Sequence, residues 1–262
     1  IYGVERIGYH CPLPANVLGS PEGSAWIAHY GILRIFKKPS SMEKASKNIK
    51  KYFTVLEMAE LAEDFWASLN FSRMSKDFWK KSNFVRGKGS TCVEKAWNFC
   101  DHEDYRIYTC AKPRFFWLMK MHTLMGEIHY MKSYHDKPGV FRRAANPGFK
   151  IALNCMGLSI MSQTHLHRIG LIDKQDDGDE KDLNSLLLTA LLTVVKIPYY
   201  YMMDKWLWDI LSGDVSEEHW NCHWWQYRTS IQGVKPPVTR TEEDYDPGSI
   251  QEMVMTHMEP KI

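Results

Sequence analysis

The sequence lacks an excess of charge of either sign and lacks a hydrophobic run long enough to cross a membrane. Its 262 residues carry 33 basic and 31 acidic side chains, which give a formal net charge of +2. That balance argues against a nucleic-acid partner and against an acidic tail. A transmembrane helix needs about 20 apolar residues, and the apolar run from Leu186 to Val195 is shorter than that. It predicts a core helix, and we expect no transmembrane segment.

The opening of the sequence also lacks the pattern of a signal peptide, because Glu5 and Arg6 stand where an apolar run should begin. The rest of the composition is ordinary for a globular protein, with 44% hydrophobic and 24% charged residues. Ten Trp, 13 Tyr and 11 Phe predict an aromatic interior. A chain of this length can bury a sizeable core, so we expect one soluble domain spanning residues 1–262.

Hydrophobic spacing indicates a mainly α-helical fold. Within the stretch from Phe115 to Ile151, a partly buried helix is predicted by apolar residues at helical spacing, namely Phe116, Leu118, Met121, Leu124, Met125 and Ile128. Upstream, Ser40 followed by Glu43 predicts a capping box that opens a long helical tract continuing through Leu69. Ser75 is predicted to cap another short helix. The acidic stretch from Asp173 to Asp182 is interpreted as a loop.

A small β segment is predicted around residues 90–111. Two runs, Thr91 to Phe99 and Tyr105 to Thr109, have strand-like composition. The polar stretch from Asp101 to Asp104 lies between them and is typical of a turn. We therefore expect two short strands joined by this turn.

The central helix lacks the residues of a zinc-binding motif. Thr123 and Glu127 stand one turn apart on one helical face, with Leu124 beside them. A zinc peptidase of the H-E-x-x-H type needs a histidine, a general-base glutamate and a second histidine at these three positions. None of the three is present.

The residues that follow nevertheless resemble one peptidase family. The matching residues are Met125-Gly126, Ile128, Tyr130, Tyr134, Asp136, Pro138, Arg142 and Ala145-Asn146-Pro147-Gly148-Phe149. They are similar in order and spacing to H-H-E-M-G-H-I-Q-Y, Y-K-D-x-P and A-N-P-G-F-H-E of the angiotensin-converting enzyme family of zinc peptidyl-dipeptidases. The fold that this resemblance implies is a partial, mainly α-helical peptidase domain.

The same resemblance predicts that the metal site is lost. It places the general base at Leu124 and the zinc ligands at Thr123, Glu127 and Ile151. Lys150 and Ile151 stand where the family has H-E, and no carboxylate occurs between Asp136 and Asp173. We therefore expect no zinc.

Positions around the groove of the family have changed as well. The family strand H-A-S-A, which pairs with the substrate backbone, is represented by Val93-Glu94-Lys95-Ala96. Leu207 and Asp209 replace arginines in the region where the family binds chloride, so chloride is predicted lost. Ile250 and Glu252 stand where the family holds the carboxylate of its substrate.

Other signals concern modification and metal binding. Cys92 and Cys110 sit where the family has a disulfide. The sequon at Asn70 predicts glycosylation and is consistent with secretion. His219 and His223 stand one turn apart and could chelate a metal. We predict instead that both are surface histidines that bind no metal.

The resemblance covers nearly the whole chain, which corresponds to the middle and later part of a catalytic domain of the family. It predicts an inactive homologue, a pseudopeptidase that binds an unknown peptide or protein outside the cell or at its surface. Two alternatives remain open. The chain could be a residual metallopeptidase, or it could be a non-functional fragment of a longer family member.

Overall fold

The computed structural model describes residues 11–20, 22–23, 25–37, 39–87, 91–142, 144, 146–173 and 179–249. The fold is mainly α-helical with few short strands, as predicted. The α-helices are α1 (Tyr30–Leu33), α2 (Ser41–Tyr52), α3 (Val55–Ser68), α4 (Lys76–Lys81), α5 (Phe115–Ser133), α6 (Pro147–Cys155), α7 (Gln163–Arg168), α8 (Asp179–Leu192), α9 (Ile197–Leu211) and α10 (Trp220–Tyr227). The strands are β1 (Leu13–Pro14), β2 (Lys95–Asn98), β3 (Tyr105–Tyr108) and β4 (Val234–Lys235).

Short 3₁₀ and π segments connect several of these elements. The 3₁₀ helices are Ala15–Leu18, Ala25–His29, Gly139–Phe141, Met156–Met161, Val194–Lys196, Glu217–His219, Glu242–Asp244 and Asp246–Ser249. Arg228–Gln232 forms a π segment directly after α10. Glu5, Arg6, Ile250 and Glu252, on which sequence interpretations rested, lie outside the described residues.

The chain divides into two compact units. The first comprises Ile1–Ile35 and Leu186–Ile262, and the second comprises Phe36–Ser185. In the first unit, β1 pairs in parallel with β4, and the core joins Tyr199, Met202 and Trp206 of α9 to Trp224 of α10. The single-domain interpretation of the sequence stays a prediction.

The second unit is built around α5. Its core contains Met121, Leu124, Met125 and Ile128 from α5, packed with residues of α3 and of the β2–β3 hairpin. The predicted helix of the central stretch is therefore confirmed. Phe116 is exposed on its outer side, whereas the other apolar residues of the pattern are buried.

The long helical tract predicted from Ser40 to Leu69 is two helices. Ser40 caps α2 with the expected capping box to Glu43, but α2 ends before Phe53. Thr54 then caps α3 with a second capping box, because its hydroxyl accepts from the backbone N–H of Glu57 while the Glu57 carboxylate accepts from the backbone N–H of Thr54. The prediction of one continuous tract was wrong because this second start signal was overlooked.

The predicted hairpin is present, with shorter strands. β2 and β3 pair antiparallel, with Lys95 opposite Tyr108 and Asn98 opposite Tyr105. The turn is closed by the side chain of Asp101, whose Oδ1 accepts from the backbone N–H of Asp104 at 2.7 Å. Ser75 caps α4, as predicted.

The region after residue 172 departs from two predictions. Residues 174–178 of the predicted acidic loop lie outside the described part of the chain, and α8 already begins at Asp179. Of the apolar run from Leu186 to Val195, only Leu191 is buried, so the core-helix prediction was wrong.

The helical stretch Leu183–Leu211 is long and apolar enough to span a membrane by length and composition. The apolar run from Leu186 to Val195 is part of this longer stretch, because a 3₁₀ turn continues α8 into α9, and the stretch is not a clear transmembrane span. Core helices of soluble proteins meet the same two criteria, so they do not identify a membrane segment.

The close approach of α3 to α5 depends on Gly126. The indole Nε1 of buried Trp66 donates to the carbonyl oxygen of His122 at 2.8 Å. A Cβ at position 126 would lie 2.5 Å from Cζ2 of Trp66. Side chains in a packed interior have little room to move, so this glycine sets the distance between the two helices.

We expect Gly126→Ala to destabilise the protein. Overpacking against Trp66 should lower the free energy of unfolding by about 1–2 kcal/mol, after the better helix propensity of alanine is subtracted. Urea denaturation followed by tryptophan fluorescence measures the change. Gly139→Ala is the matched control, because no atom lies within 4 Å of its added Cβ. Equal stability of the two variants would contradict the packing argument.

Candidate functional site

The three positions of the zinc pattern on α5 point to different surroundings. The hydroxyl of Thr123 donates to the backbone carbonyl of Lys120 at 2.9 Å, within its own helix. Leu124 is 4% exposed and belongs to the core of the second unit. Glu127 has a largely buried side chain, 14% exposed. No open face of α5 therefore presents these three side chains together.

Glu127 forms an ion pair with a residue of the next helix. The ammonium Nζ of Lys150, on α6, lies 2.6 Å from Oε1 of Glu127. This distance corresponds to a charge-assisted hydrogen bond. Glu127 and Lys150 were both singled out by the family motifs, but no sequence pattern predicted that they pair. The ion pair joins α5 to α6 across the site.

Two histidines near this site are buried from solvent to different degrees. His122 is fully buried, its Nδ1 lies 2.7 Å from the carbonyl oxygen of Leu118, and burial lowers its pKa to about 4. His165 of α7 is half-buried against Phe65, and burial lowers its pKa too. Within the described part of the chain, neither Nε2 atom has a hydrogen-bond partner. At neutral pH both imidazoles are therefore uncharged.

The hairpin beside α5 has one free edge. β2 pairs with β3, and no other described strand pairs with β2. The backbone N–H of Phe99 donates to the carbonyl of Asp104, and in antiparallel pairing the hydrogen-bonded positions alternate. The backbone groups of Ala96 and Asn98 therefore face away from β3. Ala96 is 1% exposed, so of these two residues only the half-buried Asn98 reaches solvent, and its backbone N–H is available to an added strand.

A disulfide anchors the start of this hairpin. Cys92 and Cys110 are bonded, with their Cα atoms 5.9 Å apart, which confirms the predicted pair. The bond links the segments that enter β2 and leave β3. It therefore fixes the end of the free edge relative to α5.

The comparisons with known proteins agree with the motifs. The family model of angiotensin-converting enzyme, peptidase family M2, matches residues 1–259. The chain belongs to the angiotensin-converting enzyme family. Angiotensin-converting enzyme of Bos taurus is 36% identical over 252 residues, 95% of this chain and 19% of that protein. That of Theromyzon tessulatum is 35% identical over 240 residues, 90% of this chain and 39% of that protein. The chain thus spans well under half the length of these two relatives.

The residues at the zinc positions of the angiotensin-converting enzyme family do not fit a zinc ion. Zinc takes three protein ligands from Cys, His, Asp or Glu in catalytic sites and four in structural sites. Only Glu127 among the expected positions carries such a group, and an ammonium already neutralises it. Ile151 has no donor atom on its side chain. Among the described residues, no group of three His, Cys, Asp or Glu side chains could hold a metal.

Asp209, which stands where the family has an arginine, is the centre of a polar cluster on α9. Its Oδ2 accepts from the hydroxyl of Tyr227 at 2.6 Å and lies 2.8 Å from Nε2 of His223. These contacts, together with Lys205, lower the pKa of Asp209. His223 is thus a half-buried partner of a carboxylate, and the expectation of a surface histidine was wrong for it. His219 is exposed and contacts Ser216 instead.

Arg228 is a charged group to which no sequence motif pointed. It is buried, stacks near the rings of Tyr199, Trp224 and Trp225, and burial lowers its pKa. Its Nε has no hydrogen-bond partner within the described part of the chain. The signal available in the sequence was an arginine placed shortly after two tryptophans. The predicted loss of chloride stays a prediction.

Asn70, the predicted glycosylation site, is exposed in the turn after α3 and has a left-handed backbone, with φ of 68°. The hydroxyl of Ser72, the third residue of the sequon, accepts from Nζ of Lys132 at 2.9 Å. Asn70 is accessible to modification from solvent. Glycosylation at this site stays a prediction.

Proposed function

We propose that this chain binds peptides without hydrolysing them, as a pseudopeptidase of the angiotensin-converting enzyme family. The observation that carries the proposal is the 2.6 Å ion pair between Lys150 and Glu127. An ammonium there repels a divalent cation and occupies the carboxylate that a cation would need. Without a Lewis acid or a general base at Leu124, the site has no means to activate water for peptide hydrolysis.

The free edge of β2 supports the binding half of the proposal. Extended peptides commonly add a strand to an exposed sheet edge, where backbone hydrogen bonds supply affinity and side-chain contacts supply specificity. The half-buried Asn98 offers its backbone N–H for such a bond, whereas Ala96 is 1% exposed and covered. Exposed apolar side chains lie on either side of Asn98, notably Val93, Trp97 and Phe99. The expected ligand is an extended segment with apolar residues.

An extracellular or cell-surface location is part of the same proposal. The disulfide between Cys92 and Cys110 supports it, because such bonds persist mainly in oxidising compartments. The accessible sequon at Asn70 is compatible with it. Neither zinc nor chloride is required.

Affinity selection from a pool of random peptides tests the proposal. We expect the immobilised chain to retain peptides and to release them intact, as judged by mass spectrometry. Asn98→Pro removes one backbone N–H from the free edge without breaking a bond to β3, so it should weaken retention about three- to tenfold. Asn98→Ala, which keeps that N–H, is the matched control and should bind nearly as the native chain does.

Two results would contradict the proposal. Released peptides shortened at a rate that a chelator abolishes would identify a working metallopeptidase. Retention of no peptide, by a chain whose folding is verified by circular dichroism, would exclude the binding function.

A further inference from the structure

The two halves of the disulfide between Cys92 and Cys110 differ in exposure. Cys92 is exposed to solvent, whereas Cys110 is 7% exposed. In thiol–disulfide exchange a thiolate must reach one of the two sulfur atoms, and access helps to decide which one is attacked. A dissolved thiol can therefore approach this bond at Cys92, while the surrounding protein shields Cys110.

The strand that leads to Cys110 is held in place without the disulfide. On the side of β3 that faces away from β2, the backbone N–H of Ile107 donates to the hydroxyl of Ser82 at 3.0 Å. The backbone N–H of Thr109 donates to the carbonyl of Asn83 at 2.8 Å. These bonds do not depend on the sulfur atoms, so they keep β3 and Cys110 in position when the disulfide opens.

The segment that enters β2 has weaker restraints. Among the described residues, 91–93 are exposed and form no backbone hydrogen bond, so the disulfide is what fixes them. Glu94 pairs with Lys120 at 3.5 Å, and solvent screens this pair because the side chains are 28% and 36% exposed. The pairing of β2 with β3 begins at Lys95. Opening of the disulfide therefore frees the entry to β2 and leaves β3 anchored.

We propose that Cys92 is a site of thiol–disulfide exchange that controls how firmly β2 is held. The co-reactant is a low-molecular-weight thiol. Its thiolate attacks Sγ of Cys92 and forms a mixed disulfide, while Cys110 leaves as a thiolate and takes up a proton. A second thiol then attacks the mixed disulfide and releases Cys92. Two external thiols are thus oxidised to one disulfide, and the protein disulfide is reduced to two thiols.

Opening of the bond weakens peptide binding at the free edge of β2, and this consequence rests on the function proposed above. Asn98, whose backbone N–H is available there, belongs to β2. Without the covalent bond, β2 is held by its pairing with β3 and by the burial of Ala96. A strand that frays presents its edge for a smaller fraction of the time, and the apparent affinity falls by that fraction.

Trapping of the mixed disulfide identifies the sulfur that is attacked. The folded full chain, with its free thiols alkylated beforehand, is incubated with reduced glutathione, quenched with N-ethylmaleimide and mapped by mass spectrometry without reduction. We expect glutathione on Cys92 at least about tenfold more often than on Cys110. In denaturant both sulfurs are accessible, so the two cysteines should be modified within about twofold of each other.

Hydrogen exchange measures the effect on β2 without any peptide. In the chain reduced with dithiothreitol, the backbone amide of Trp97, which pairs with Arg106, should exchange at least about tenfold faster than in the oxidised chain. The backbone amide of Thr109, bonded to Asn83, is the internal control and should change by less than about twofold. Circular dichroism verifies that the reduced chain is folded.

A variant without the disulfide separates this bond from other effects of the reductant. Cys92→Ala combined with Cys110→Ala should show fast exchange at Trp97 before reduction, and dithiothreitol should change it no further. Cys100→Ser, in the turn of the same hairpin, is the matched control. It should respond to the reductant as the native chain does.

The proposal is wrong if the folded chain forms no mixed disulfide, if Cys110 is modified as readily as Cys92, or if reduction leaves exchange at Trp97 unchanged. Peptide retention is measured separately and should fall about threefold or more on reduction. Unchanged retention together with fast exchange at Trp97 would overturn the link between the disulfide and the edge. A chain that retains peptide in neither redox state contradicts the function proposed above, whereas trapping and hydrogen exchange still decide the role of Cys92.

Discussion

Restoring the zinc motif on α5 should destabilise the protein and leave it without peptidase activity. Leu124→Glu alone places a carboxylate where a leucine is 4% exposed within the core. The lost apolar contacts and the desolvated charge together should lower the free energy of unfolding by about 3–5 kcal/mol. Chemical denaturation at pH 7 measures the loss. Leu124→Met is the control and should cost less than about 1.5 kcal/mol.

A variant with all three zinc ligands and the general base restored should still bind zinc weakly. Thr123→His, Leu124→Glu, Glu127→His and Ile151→Glu together supply three ligands and a base, yet Lys150 retains its ammonium beside position 127. Adding Lys150→His to these four substitutions should raise zinc affinity more than about tenfold, because the repulsion of two nearby cations is removed. Competition with a chromogenic chelator measures the two affinities.

We expect neither rebuilt variant to cleave C-terminal dipeptides above background. Val93 stands where the family has its groove histidine, and single donors to a transition state contribute about 100- to 1000-fold in rate. A clear, chelator-sensitive rate in the four-substitution variant would show that the groove is intact and that Lys150 does not block it. It would also favour a recently silenced enzyme over a binding protein.

Lys150→Met should lower the free energy of unfolding by about 1–2 kcal/mol, because it leaves the largely buried carboxylate of Glu127 without its cation. Complete burial would cost more, but the Lys150 side chain is 37% exposed and solvent screens part of the interaction. Methionine keeps the apolar stem, so packing against α5 changes little. Thermal and denaturant unfolding of the variant measure the effect.

A double-mutant cycle with Glu127→Gln separates the ion pair from other changes. We expect a coupling energy above about 0.5 kcal/mol between positions 127 and 150. Lys120→Met is the matched control, since Lys120 is 36% exposed, much like Lys150, but pairs at a longer distance of 3.5 Å with Glu94, whose side chain is 28% exposed against 14% for Glu127. Its effect should be within about 0.5 kcal/mol of zero. A coupling energy near zero between positions 127 and 150 would show that the ion pair does not stabilise the fold.

The local features of the fold followed from sequence patterns, because caps and turns depend on residues close in the chain. Ser40, Ser75 and Asp101 act where the patterns placed them. Thr54 with Glu57 carries the same capping signal, and overlooking it merged two helices into one tract. Caps and turns could therefore be predicted from the sequence, and the start of α3 at Thr54 could have been predicted in the same way.

The chemistry of the site was less predictable, because it depends on how helices pack. Resemblance identified positions 123, 124, 127 and 151, but the burial of Leu124 follows from the contact of α5 with its neighbours. The partner of Glu127 lies 23 positions away on α6, and its identity depends on the angle between two helices. The environment of Arg228 was likewise not predictable, because the three aromatic rings around its guanidinium come together only when the chain folds.

The free edge of β2 affects how readily the protein associates with itself. The backbone N–H of Asn98, between exposed Trp97 and Phe99, can pair with a strand of any extended chain, including a second molecule of the same sequence. Lys95, which lies over the ring of Trp97 at 4.6 Å, is the kind of charged residue that limits such self-association. Solubility at high concentration should therefore depend on the charge at position 95, quite apart from how stably the chain folds.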